Sequence, residues 1–78
     1  HKLDVKSKFE WYYLKGDIQF KKKKYNTAST HYLDAYNVAN RSHEEYLKYE
    51  ALKMAAIAYI RAGQVADYQK LFRRSDML

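Results

Sequence analysis

The chain has no cysteine and no proline, and only two glycines, Gly16 and Gly63, among its 78 residues. Without cysteine there is no disulfide staple, no thiolate nucleophile and no cysteine-based zinc site. Without proline, and with so little glycine, the chemistry that builds strand turns is missing. No apolar run approaches the roughly 18 residues that a membrane span needs, and no signal-peptide pattern opens the chain. With no cysteine and no leader pattern, we expect an intracellular, cytoplasmic protein. The first residue is His1 rather than methionine, so we also expect a processed piece or a domain excised from a longer chain. Catalytic signatures are missing too. His1, His31 and His43 offer no i,i+4 pair for a metal, no glycine-rich phosphate loop is present, and Ser29 and Thr30 lie on a helix rather than on a strained nucleophile turn. His31 and Asp34, one helical turn apart, read as a surface pair. The expectation is no enzyme, no metal and no cofactor.

What the chain does have is charge of one sign, aromatic side chains and helical periodicity. The net charge is +6. Residues 1–24 hold eight lysines against Asp4, Glu10 and Asp17, so most of the excess lies there. Apolar residues recur at steps of three and four. Phe9, Tyr12, Gly16 and Phe20 form one stripe, with Trp11, Leu14 and Ile18 on an adjoining one. Tyr25, Ala28, Tyr32, Ala35 and Ala39 form a second segment, and Tyr49, Leu52, Ala56, Tyr59 and Gly63 a third. Val65, Tyr68 and Phe72 mark a fourth. These patterns predict an all-α single domain over 1–78, with helices at about 4–22, 25–40, 43–62 and 65–75. Ser42 and Glu45 have the spacing of a capping box, Glu44 and Lys48 that of an i,i+4 ion pair, and Gly63 suits a helix C-terminus.

A shift of 40 residues lays Gly16 on Ala56, Phe20 on Ile60, Tyr25 on Val65 and Tyr32 on Phe72. Small meets small and large meets large, as two stacked helical hairpins require, one over about 4–40 and one over about 43–75. Here the chain resembles the tetratricopeptide repeat. "AAIAYIRAGQVADYQKLF" is similar to that repeat without a gap, with Ala56, Tyr59, Gly63, Val65 and Phe72 in register. "YYLKGDIQFKKKKYNTASTHYLDA" resembles a second copy through Gly16, Tyr25, Ala28, Tyr32 and Ala35. Lys23 replaces the turn glycine, Lys15 and Gln19 stand where apolar residues are usual, Tyr68 replaces a small residue, and the period exceeds the usual length of about 34. Long, irregular repeats of this kind also resemble the helical repeat region of PCI-type scaffold subunits and that of bacterial peptide-responsive regulators.

The resemblance implies a non-catalytic scaffold module that binds a partner peptide or an adjoining subunit through its first helices. Lys8, Tyr13, Asp17, Glu45, Lys48 and Lys53 lie off the expected core stripes and are the candidate partner contacts. Tyr13, Tyr36 and Tyr46 are the tyrosines expected at the surface, whereas Tyr25, Tyr32, Tyr49 and Tyr59 are expected to pack. "KLFRRSDML" offers Leu71 and Phe72 as an open C-terminal edge for a following repeat or for self-association. A second reading is a small basic nucleic-acid-binding domain that uses Lys21, Lys22, Lys23 and Lys24 with Arg73 and Arg74 as anion contacts. The bland reading of the lysine run is a solvated helix end that complements the helix dipole. A third reading is a three-helix trafficking adaptor of the MIT type, whose second helix "KKKKYNTASTHYLDAYNVA" resembles. That pattern would run its third helix unbroken through Gly63.

Overall fold

The computed structural model describes residues 4–75, with side chains as far as Leu71. The fold is all-α. Four helices follow one another: α1 Val5–Lys21, α2 Tyr25–Arg41, α3 Glu45–Arg61 and α4 Val65–Ser75. The first three are each 17 residues long. Three-residue turns separate them, so the helix starts recur every 20 residues.

All three turns share one geometry. The middle residue is left-handed in each, Lys23 at φ 63°, His43 at 59° and Gly63 at 76°. The following N–H donates to the carbonyl five residues back: Lys24 to Gln19 at 2.9 Å, Glu44 to Ala39 at 3.0 Å and Gln64 to Tyr59 at 2.9 Å. The left-handed residue donates in turn to the carbonyl three residues back: Lys23 to Phe20, His43 to Asn40 and Gly63 to Ile60. This is the Schellman closure, which satisfies the last carbonyls of a helix. Only Gly63 adopts it without the Cβ penalty. Lys23 holds the glycine conformation although its side chain disfavours it.

The second turn overturns one expectation. Ser42 does not cap α3. It is the C-cap of α2, and its hydroxyl donates to the Val38 carbonyl at 2.9 Å. The N-cap of α3 is Glu44, which makes no side-chain capping bond. Nor does Glu44 pair with Lys48, whose ammonium lies 3.2 Å from Glu45 instead. The left-handed demand at His43 decides the matter, because it places Ser42 in the outgoing helix rather than the incoming one.

Short connections make consecutive helices antiparallel neighbours. α1 packs on α2 and α2 on α3, while α1 touches α3, and α3 touches α4, more lightly. The result is a slab of 40 × 31 × 16 Å. Alanines let the backbones approach: Ala28, Ala35, Ala39, Ala51, Ala55 and Ala58 are all fully buried. Tyr32 is the largest fully buried side chain. Gly16 is the position in α1 that admits it, since a Cβ there would lie 2.7 Å from two Tyr32 ring carbons.

Surface assignments change at several positions. Tyr36 is buried, against the expectation of exposure, and Tyr49, expected inside, is 49% exposed. Leu71 is buried rather than part of an open edge, and the Phe72 side chain lies outside the described residues.

Candidate protein-docking surface

The position of α1 is set by a ladder of rings. Phe9 stacks on Tyr13 at 5.4 Å, Tyr13 tilts onto Tyr32 at 5.3 Å, and Tyr32 meets Phe20 edge-on at 6.4 Å. Phe20 then meets Tyr25 at 5.1 Å, and the Arg61 guanidinium from α3 lies 5.2 Å above the Phe20 ring. Offset and edge-on ring pairs of this kind add about 0.5–1.5 kcal/mol each beyond area burial.

Two phenols anchor the ladder to carboxylates. The Tyr32 hydroxyl donates to Asp17 Oδ1 at 2.5 Å, and the Tyr13 hydroxyl donates across to Glu50 Oε2 on α3 at 3.2 Å. Burial first, and then the neighbouring carboxylate, push both phenols well above their ordinary value near 10. Both therefore stay neutral donors. Glu50 also meets Lys53 at 3.4 Å.

Because the stripe containing Phe9, Gly16 and Phe20 faces the interior, the adjoining apolar stripe cannot. Trp11 and Leu14 are each 58% exposed and Ile18 is 52% exposed. The adjoining apolar stripe of α1 is thus a surface. Lys15 folds over it, its ammonium 4.2 Å from the centre of the Trp11 ring. Beside it, a groove of roughly 260 Å3 runs between α1 and α3, lined by Leu14, Asp17, Ile18 and Met54 and floored by Tyr32. A second groove of roughly 310 Å3 opens at the other end of the same two helices, between Val5 and Tyr46.

The six candidate contacts divide. Lys8, Glu45 and Lys53 are exposed, while Tyr13 and Asp17 are half-buried and engaged in the phenol–carboxylate bonds. Lys48 is buried at 6% exposure and is not available as a surface contact. Its stem lies among the interior residues and only its head reaches Glu45. Lys21 to Lys24 are all exposed, and they wrap the first turn instead of forming one face. The side chains of Arg73 and Arg74 lie outside the described residues. His31 is half-buried and its Nδ1 has no hydrogen-bond partner, so it does not form the expected surface pair. Among the described residues no group of three His, Asp or Glu side chains gathers, and no helix is long and apolar enough to cross a membrane.

The sequence reading missed Trp11, Leu14, Ile18 and Met54 as surface contacts. The signal was present in Gly16: the stripe that carries the only glycine inside a helix is the one at which a neighbour approaches closely, which sends the other stripe outward. Comparison of the chain with protein-family models, curated proteins and solved structures finds no match.

Proposed function

We propose that this chain is a non-catalytic protein-interaction module of tetratricopeptide-like helical hairpins, whose working surface is the outer face of α1 with the adjoining α1/α3 groove. The observation that carries the reading is the exposed set Trp11, Leu14 and Ile18, contiguous along one helix and held outward by a rigid aromatic ladder. Burying one such side chain is worth about 1.5–3 kcal/mol, and a few anchors of this kind dominate most interfaces. The hairpin resemblance is supported by the short, alike turns at Lys23, His43 and Gly63, which make consecutive helices antiparallel neighbours. The break at Gly63 favours it over the three-helix adaptor reading.

The test compares proteins retained from nuclease-treated extract by the wild-type chain, by Ile18→Glu and by a Lys23→Gln/Lys24→Gln double variant, whose lysines lie outside the groove. A discrete set kept by the lysine variant and lost by Ile18→Glu is expected. A set indifferent to Ile18 refutes the surface. The second reading, polyanion binding, has one observation in its favour, the exposure of Lys21 to Lys24. It predicts binding that falls steeply with salt and drops when the same two lysines become glutamine. No binding of single- or double-stranded probes at low salt removes it.

A further inference from the structure

The chain's internal repeat indicates what covers the outer face of α1. The 40-residue shift carries Trp11, Leu14 and Ile18 onto Ala51, Met54 and Ala58 of α3. It also carries Phe9, Gly16 and Phe20, the stripe that meets α2, onto Tyr49, Ala56 and Ile60. Ala51, Ala55 and Ala58 are fully buried, and α2 is the helix on which α3 packs most extensively. The solvent-facing stripe of α1 is therefore the counterpart of the face of α3 that seats an antiparallel helix.

Two differences define the chemistry of the occupant. The first is size. At the counterpart positions α3 presents Ala51, Met54 and Ala58, whereas α1 presents Trp11, Leu14 and Ile18, so a helix seated at a similar distance must itself be small where it faces Trp11 and Ile18. The second is charge. Trp11 and Ile18 stand seven residues apart with Leu14 between them, the a and d positions of a heptad. Lys8 and Lys15 fill the adjoining e positions of α1 and Lys22, its C-cap, stands at the next step, while Glu10 and Asp17 stand on the other flank. Flanking charges at such positions select the partner helix. The carboxylates of α1 do not neutralise these lysines. Asp4 caps the helix, accepting from the Lys6 N–H at 3.2 Å, and Asp17 accepts from Tyr32. Glu10 is exposed, and none of the three lysines is ion-paired among the described residues.

We propose that the outer face of α1 docks an acidic amphipathic helix of a partner protein, antiparallel to α1. Small side chains of the partner face Trp11 and Ile18, and its carboxylates face Lys8, Lys15 and Lys22. The inference rests on the interaction-module reading and names the partner class. Docking displaces the Lys15 ammonium from the Trp11 ring. Trp11 is the only tryptophan, so its emission reports the event.

The test selects binders of the whole chain from two displayed libraries of peptides, one on a helix-favouring scaffold and one unconstrained. Enriched peptides should carry Asp or Glu at seven-residue spacing beside a small-residue stripe, and should gain helicity and blue-shift Trp11 on binding. Ile18→Glu should weaken them on the order of tenfold or more, and the triple change of Lys8, Lys15 and Lys22 to Gln should flatten the salt dependence. Binders that need Ile18 but lack helical spacing overturn the helix occupant and leave the interaction-module reading standing. Absence of any Ile18-dependent binder overturns both. Self-association of the chain alone that Ile18→Glu abolishes makes the occupant a second copy and overturns the partner helix.

Discussion

Adding one methyl group at Gly16 sets two effects against each other. Alanine is favoured over glycine inside a helix by about 1 kcal/mol, so on propensity alone Gly16→Ala should stabilise α1. The new Cβ, however, would lie 2.7 Å from Tyr32 Cδ1 and Cε1 and 3.1 Å from Cγ. Ordinary contact between carbons is about 3.5–4.0 Å, so the ring has to retreat by most of an ångström. Tyr32 has no exposed surface to retreat into. Tyr13 and Phe20 flank it, and its hydroxyl is tied to Asp17 at 2.5 Å. Overpacking of this kind costs about 1–3 kcal/mol, and stretching a hydrogen bond to a charged group adds a further part of about 1.5–3 kcal/mol. The net expectation is a loss of about 1–3 kcal/mol, equivalent to a melting point lower by about 5–20 °C for a domain of this size. Thermal and urea unfolding followed by far-ultraviolet circular dichroism measures it. The same change in a Tyr32→Leu background removes the ring and should be neutral or stabilising. A Gly16→Ala chain that melts higher than wild type, or a cost unchanged without the Tyr32 ring, would mean that the ring contact does not set the outcome.

The turns respond in the opposite sense. Lys23→Gly and His43→Gly should each stabilise by about 1 kcal/mol, because each removes a Cβ from a left-handed residue. Gly63→Ala should destabilise by a similar amount although a Cβ there meets nothing within 4 Å, so denaturant midpoints will separate backbone strain from packing. The buried phenols make the fold sensitive to alkali. Both Tyr13 and Tyr32 are raised above their ordinary value near 10 in the folded state. Their contribution is therefore fully present below about pH 10 and is lost as pH rises beyond it, since the unfolded chain ionises first. Urea midpoints measured between neutral pH and pH 11 should fall above 10, and less steeply in Tyr32→Phe. Removing the guanidinium with Arg61→Ala should cost about 0.5–1 kcal/mol through the lost contact with Phe20.

Much of the architecture is legible in the sequence because periodicity and turn residues are local properties. The expected helices differ from the observed ones by at most two residues at either end. Gly63 ends α3 and Gly16 marks a close approach, each for the reason its lack of a side chain gives. What escaped was the choice between alternatives that are locally equal. α1 carries two apolar stripes, and periodicity does not say which one meets α2; the Gly16–Tyr32 contact does. Ser42 has the residue type and spacing of an N-cap, and it is the left-handed His43 that assigns it to α2. Lys48 looks like a surface cation until α3 packs, when its stem lies inside and its head pairs with Glu45. Tyr36 and Tyr49 exchange their expected places for the same reason. Long polar-tipped side chains leave their burial to the neighbour, not to the sequence around them.

The proposed working surface is the outer face of α1, and not the lysine turn at Lys23 and Lys24. Chemical-shift mapping of the isotopically labelled chain with the most strongly enriched peptide tests it residue by residue. The largest perturbations are expected at Trp11, Leu14, Lys15 and Ile18, with Lys23, Lys24 and Gly63 unmoved. Perturbations centred on Lys23, Lys24 and Gly63, with Trp11 and Ile18 silent, would contradict this expectation.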